Sequence, residues 1–224
     1  MSDEQYEAVD QYLAERYAPA DDALTAALAA NNAAHLPPIA VSPTQGKLLQ
    51  ILAKMIGARR ILEIGTLGGY SSLWLAGALP ADGLLITLEL KARYATVARS
   101  NFVRAGLADR IEIREGPALD SLERLHAEGA EPFDFFFIDA DKVNSPNYLT
   151  WALKLSHRGS VIVFDNVIRE GAIVDAGSRD LAVQATRRLH DLLASDPRLS
   201  ATAIQTVGDK GYDGFAIALV TADS

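Results

Sequence analysis

From residue 60 onward, short apolar runs alternate with amphipathic stretches of helical period, and this alternation organises the chain. Five runs have the length and the β-branched or aromatic content of strands: RILEI (60 to 64), LLITL (84 to 88), RIEIR (110 to 114), FDFFFI (133 to 138) and SVIVF (160 to 164). Between them, residues 70–79, 91–105, 118–128 and 146–157 carry apolar positions at helical spacing. Strand and helix repeated in this way predict right-handed crossovers and a parallel sheet with helices on both faces. A helix over 179–195 then leads to LSATAIQTV (199 to 207) and FAIALV (215 to 220). The GDKGYDG turn between these two runs is too short for a crossover, so they should pair antiparallel.

Before residue 60 the pattern is helical only, over 3–17, 20–34 and 42–57. The third helix is the best punctuated: Ser42 is placed as N-cap, Pro43 takes the first helical position, Gln45 closes a capping box and Gly57 ends it. No internal repeat or Pro/Gly/Ser linker interrupts the chain. One domain over residues 1–224 is therefore expected, with 1–40 as an N-terminal helical addition and 41–224 as the core. The acidic helix 3–17 reads as a solvated face or a dimer contact.

Composition narrows the class. Hydrophobic residues make up 49% of the chain and charged residues 22%, ordinary values for a globular protein that exclude intrinsic disorder. No apolar run approaches the roughly 20 residues that span a bilayer, and MSDEQYEAVDQYLAERY lacks the basic flank and apolar core of a secretory signal. A cytoplasmic location is the expectation. Cysteine is absent, which removes disulfides, thiolate metal sites and cysteine nucleophiles, so any metal must be held by oxygen or imidazole. A formal net charge of −8 argues against nucleic acid or an anionic membrane as partner and leaves a small molecule.

Chemistry concentrates at the carboxyl ends of the predicted strands. In ILEIGTLGGYSS (61 to 72), Gly65, Gly68 and Gly69 allow a sharp turn and close approach of a ligand, while a helix N-terminus near Tyr70 offers free N–H groups. The position is the first loop of a parallel sheet, where cofactors bind, although a bare strand-to-helix turn would read alike. Glu63 lies in the first strand, and Glu89 ends the second where a ribose-binding acid sits in nucleotide folds; a plain surface acid is the competing reading of either. The loop lacks the full G-x-G-x-x-G pattern, which favours a nucleoside without phosphates over a dinucleotide. After the third strand, Gly116, Pro117 and Ala118 form a small-residue turn that either gives an adenine ring room or simply starts a helix.

The fourth strand ends in Asp139, Asp141 and Lys142, and the fifth in Asp165 and Asn166. Adjacent parallel strands lie roughly 4.8 Å apart, so these groups can converge above the sheet. Two carboxylates and an amide oxygen, Asp139, Asp165 and Asn166, are hard ligands suited to Mg²⁺, Ca²⁺ or Mn²⁺. Taken singly, each residue also fits a helix cap or a turn. His35, His126, His157 and His190 lie at none of these strand ends. Lys142 is better placed as a base, if burial and a cation lower its pKa from about 10.4 toward roughly 7 to 8; pairing with Asp141 is the competing role.

The motifs VSPTQGKLLQIL, ILEIGTLGGYSS, REGPAL, FFFIDADK and VIVFDNV, in this order over about residues 41–175, resemble the cation-dependent O-methyltransferases that use S-adenosylmethionine, the group of caffeoyl-CoA and catechol O-methyltransferases. The resemblance implies a Rossmann-like α/β fold: a seven-stranded, mostly parallel sheet with an antiparallel last strand, helices on both faces and an N-terminal helical addition. It implies Val41, Glu63, Gly65, Thr66 and Ser71 as contacts around the methionine part of the cofactor, Glu89 as the ribose acid, Ala118 beside the adenine, and Asp141 as a further cofactor contact. It implies Asp139, Asp165 and Asn166 as ligands of a divalent cation, Mg²⁺ first and Ca²⁺ or Mn²⁺ as alternatives, with Asp139 also close to cofactor and substrate, and Lys142 as the base. A homodimer built through the N-terminal helices and a vicinal dihydroxy aromatic acceptor are expected in the same way. Ser160, where members usually show a glycine, and DKVNSPNYLTW, without the Asn-Tyr pair common after the lysine, depart from the family pattern. Residues 1–40 and about 167–178, which should shape the acceptor pocket, carry no decisive signal. Two other classes compete: a nicotinamide-dependent Rossmann oxidoreductase and a non-catalytic S-adenosylmethionine-binding protein.

Overall fold

The computed structural model describes residues 3–19, 21–208 and 210–222. The apolar runs form strands β1 (Arg60–Ile64), β2 (Leu84–Glu89), β3 (Ile111–Glu115), β4 (Phe133–Ile138), β5 (Ser156–Asp165), β6 (Leu199–Gly208) and β7 (Gly211–Val220). These make one sheet in the order β3-β2-β1-β4-β5-β7-β6. Strands β1 to β5 run parallel, and β7 lies antiparallel between β5 and β6. The connecting helices are α4 (Tyr70–Ala76), α5 (Ala92–Arg104), α6 (Ala118–Ala127), α7 (Ser145–Lys154) and α8 (Leu181–Ser195), preceded by α1 (Asp3–Tyr17), α2 (Asp22–Ala33) and α3 (Pro43–Met55). The helix expected over 20–34 begins at Asp22; residue 20, and residue 209 of the last turn, lie outside the described residues. Among the described residues no helix is long and apolar enough to cross a membrane.

Period-two alternation sorts the sheet into two cores. Leu62, Ile64, Ile86, Leu88, Phe136, Ile138, Ile162 and Phe164 pack on one face against α6, α7 and α8. Ile61, Leu85, Phe135, Phe137, Val161 and Val163 pack on the other against α2, α3, α4 and α5. Burial on both faces is what makes the central strands read as continuous apolar runs.

Asp134 interrupts the β4 run for a structural reason. Its Oδ2 accepts the backbone N–H groups of Arg59 and Arg60, both at 2.8 Å, and its Oδ1 meets Nε2 of His157 at 2.8 Å. One carboxylate thus ties the starts of β1, β4 and β5. The β4–β5 register slips there, from Phe133 opposite Ser156 to Phe135 opposite Val161. Ser160 closes the slip by donating to the Phe133 carbonyl at 2.8 Å and accepting His157 N–H at 3.0 Å, which gives its hydroxyl a task that glycine could not perform. The helix expected to reach 157 consequently stops at Lys154. β7 starts at Gly211, four residues earlier than the apolar pattern suggests, because Gly208 pairs with Gly211 in a tight hairpin.

Candidate active site

The carboxyl ends of β2, β1, β4 and β5, together with the β6–β7 turn, open onto a single cleft of about 1200 Å³. Its floor depends on Gly65, at φ 102, where a Cβ would lie 2.1 Å from the Asp139 carbonyl oxygen. Only glycine lets the chain leaving β1 lie against the chain leaving β4. Gly69, at φ 84, then turns the loop into α4.

Glu89 clamps this loop. Its Oε2 accepts the N–H groups of Thr66 at 3.2 Å and Leu67 at 2.8 Å, and its Oε1 accepts Lys91 N–H at 2.9 Å. A carboxylate offers about four acceptor positions, so room remains for a ligand hydroxyl. The Thr66 hydroxyl turns inward to that of Thr87 at 2.6 Å, leaving backbone rather than side-chain polarity toward the cleft. Glu63 departs from the expectation of ligand contact. It is fully buried, does not line the cleft, and accepts hydroxyl donors from Ser71 and Thr87, each at 2.6 Å, and from Ser72. Burial pushes its carboxyl up to about 7, with the three hydroxyls opposing and Asp139 adding to the rise. Ser71, which Glu63 orients, does line the cleft, as do Val41, Gly65, Thr66, Glu89 and Ala118.

Asp139, Asp141, Lys142, Asp165 and Asn166 all line the same cleft. Lys142 Nζ donates to Asp139 Oδ1 at 2.9 Å, so its partner is Asp139 and not the Asp141 weighed from sequence. Asp141 instead caps the 3₁₀ turn Lys142–Asn144, accepting from Asn144 N–H at 3.2 Å, from the Asn144 amide at 2.6 Å and from the Tyr148 hydroxyl. Asp165 is buried, and burial first, then the facing Asp139 carboxylate, raise its pKa, opposed by Lys142, by Asn166 N–H at 2.9 Å and by the side chain of Gln45. Asn166 follows with φ 53, a backbone state that Asn tolerates better than most residues.

Gln45 was read only as half of a capping box. Its backbone N–H does bond Ser42 Oγ at 3.2 Å, but its side chain reaches Asp165. Tyr148, Arg169, Glu170, Lys210 and Asp213 also line the cleft, and sequence reasoning missed them because no period or motif marks them. The histidines lie elsewhere, as expected. His157 pairs with Asp134 at the opposite end of the sheet, and His190 bonds the Val167 carbonyl at 2.9 Å without lining the cleft.

Comparison with known proteins places this geometry among methyl-transferring enzymes. The family model for O-methyltransferases matches residues 18–217. A protein of Niastella koreensis named catechol O-methyltransferase is 49% identical over 98% of this chain and all of its own length. A Bacillus cereus O-methyltransferase solved in complex with SAH superposes with a TM-score of 0.96 at 55% identity, covering 98% of this chain and 100% of that one. An O-methyltransferase of Streptomyces achromogenes involved in tomaymycin synthesis, solved with SAM, gives a TM-score of 0.96 at 50% identity, covering 99% of this chain and 100% of that one.

Proposed function

Because the chain belongs to the O-methyltransferase family and is an S-adenosylmethionine-dependent enzyme, we propose that its acceptor is a vicinal dihydroxy aromatic and that its activity requires a divalent cation held by Asp139, Asp165 and Asn166. The observation that carries this reading is the convergence of two facing carboxylates, an amide and Lys142 in the cleft that the glycine loop also lines. The residues fit a cation: Asp165 is buried opposite Asp139, an arrangement of like charges that is costly unless a positive charge joins it. All three donors are hard oxygen ligands of the kind Mg²⁺ prefers. Bound there, the cation would supply Lewis acidity that lowers the pKa of a coordinated hydroxyl from its phenolic value near 10.

The remaining work falls to this chain's own side chains. In its neutral form Lys142, positioned by Asp139, accepts the proton of the hydroxyl that reacts. Glu89 receives a ribose hydroxyl of the methyl donor, Ala118 leaves space for its adenine, and the backbone of Gly65 and Thr66 with Ser71 and Val41 flanks its methionine part. Asp139 stands between the donor and acceptor halves, just past the end of β4, the strand that pairs with β1. The methyl carbon leaves sulfur as the oxygen bonds to it, and the reaction is accelerated chiefly by holding these atoms in line. The name of the Niastella koreensis relative supports a catechol acceptor.

The test is methylation of catechol with and without EDTA. Chelation abolishes turnover and Mg²⁺ restores it; turnover unaffected by exhaustive chelation rules out the cation site.

A further inference from the structure

Beyond Asp165 the cleft is closed by two segments that interlock. Val167 N–H donates to the Gly214 carbonyl at 3.0 Å, and Asp213 Oδ1 accepts the N–H groups of Ile168 at 2.9 Å and Arg169 at 3.1 Å. This wall holds Arg169 and Glu170 both at φ 54, three and four residues past Asn166. Non-glycine residues rarely adopt that conformation, and holding it needs support from the surroundings. Here the support comes from Asp213 and the hairpin, and its result is to set Arg169 in the cleft wall.

The Arg169 guanidinium is left with unmet bonding capacity. Its Nε is buried with no hydrogen-bond partner, and among the described residues no carboxylate lies within ion-pair distance of it. A buried donor without a partner is uncommon and costly. Lys210, from the hairpin turn, lines the same cleft, and among the described residues its Nζ donates to the Pro38 carbonyl alone, at 3.3 Å. The acids of this wall do not neutralise the two cations: Asp213 spends Oδ1 on two backbone N–H groups, and Glu170 is exposed and forms no ion pair with either. Lys142, by contrast, is already matched by Asp139.

Position gives these cations a target. Across the cleft the strand ends run from Glu89 on β2, through Gly65 after β1 and Asp139 after β4, to Asp165 on β5, with the β6–β7 hairpin beyond. The methyl donor takes the β2–β1–β4 half, so what meets Arg169 is the part of the acceptor that projects away from its reacting hydroxyls. A planar guanidinium matches a carboxylate in charge and geometry. We propose that Arg169, assisted by Lys210, binds a carboxylate on the acceptor, and that the preferred substrate class is a dihydroxyaromatic acid rather than a neutral catechol. This rests on the acceptor site proposed above.

The experiment compares kcat/KM for 3,4-dihydroxybenzoate and its neutral isostere 3,4-dihydroxybenzamide, in the wild type and in Arg169→Gln, with Mg²⁺ present. The wild type prefers the acid by about tenfold or more, chiefly through KM, as expected for a charge-assisted hydrogen bond. Arg169→Gln removes that preference and Arg169→Lys restores part of it. Equal wild-type values for acid and amide overturn the inference, as does a variant that lowers both in the same proportion. Should the wild type methylate neither compound, the acceptor reading itself fails. The carboxylate inference is then decided by calorimetric titration of the two compounds in the presence of S-adenosylhomocysteine, where an acid that binds no tighter than the amide overturns it.

Discussion

Glu63→Gln isolates one buried carboxyl whose titration should be visible in the stability of the whole protein. Glu63 has no exposed surface, three hydroxyl donors and no basic partner among the described residues. Burial lifts its pKa from the ordinary 4.5 to about 7. The folded state therefore holds this proton more tightly than the unfolded chain does. The stability so contributed is complete below pH 4.5, declines as pH rises, and is exhausted above about pH 7. At about 1.4 kcal/mol per pH unit, that interval amounts to about 3 kcal/mol. Glutamine keeps the shape, does not titrate and resembles the protonated acid in carrying one donor end. The two proteins should match near pH 4.5, and the variant should gain about 3 kcal/mol on the wild type by pH 8, or roughly 6 to 12 °C in Tm for a chain of this size. Urea unfolding of both proteins without ligand, from pH 4.5 to 8.5, measures the difference and cancels the titrating groups that do not interact with Glu63, Asp139 being the one that adds to its rise. Parallel stability curves would show that Glu63 remains an ordinary carboxylate in the fold and that the hydroxyl cage has been misread.

Gly65→Ala should cost about 1–3 kcal/mol from backbone strain alone and should weaken S-adenosylmethionine binding as well, since the new Cβ meets the Asp139 carbonyl at 2.1 Å; an unchanged Tm and donor Kd would contradict this. Asp165→Ala should lose turnover while calorimetry shows S-adenosylmethionine still binding; lost donor affinity would move Asp165 from the cation to the donor site. Asp134→Ala should cost about 2 kcal/mol in urea unfolding, because two backbone N–H groups and His157 lose their acceptor, yet leave kcat/KM unaltered at the far end of the sheet. Burial would raise the Asp134 carboxyl, but its hydrogen bonds with Arg59, Arg60 and His157 hold it below its ordinary 3.8, so the stability it contributes is present above that value and fades only as pH falls through the lower folded pKa.

The strands of the central sheet were legible because burial on both faces leaves an uninterrupted apolar run that few other environments produce. Where the reading slipped, a longer-range partner decided the outcome. Ser156 belongs to β5 because Phe133 pairs with it, and nothing within 146–157 carries that information. The GYDG segment belongs to β7 because Gly208, Val207 and Thr206 pair across to Gly211, Tyr212 and Asp213, and backbone pairing of this kind needs no apolar pattern. Gln45 follows the same logic. A local rule assigned its amide to Ser42, while Asp165, 120 residues further on, offered a buried carboxylate.

Glu63 shows that an available rule was stopped one step short. It shares the parity of Ile61 on β1 and pairs in register with Thr87, so its side chain had to point toward the face covered by α4 and not toward the strand ends. Residues at a strand's carboxyl end reach the cleft; a residue within the strand reaches a helix. That distinction explains why Asp139, Lys142, Asp165 and Asn166 could be gathered from sequence, and why Arg169 and Lys210 could not. The first four are delivered by the sheet, whose order follows from the alternation of strands and helices. The other two are delivered by a wall that Asp213 ties to the sheet through backbone N–H groups, which leave no trace in side-chain periodicity. The strand-end cluster and the Arg169 wall thus rest on different supports. A change at Arg169 should alter which acceptor is taken while the Lys142–Asp139 pair, anchored on β4, keeps its geometry.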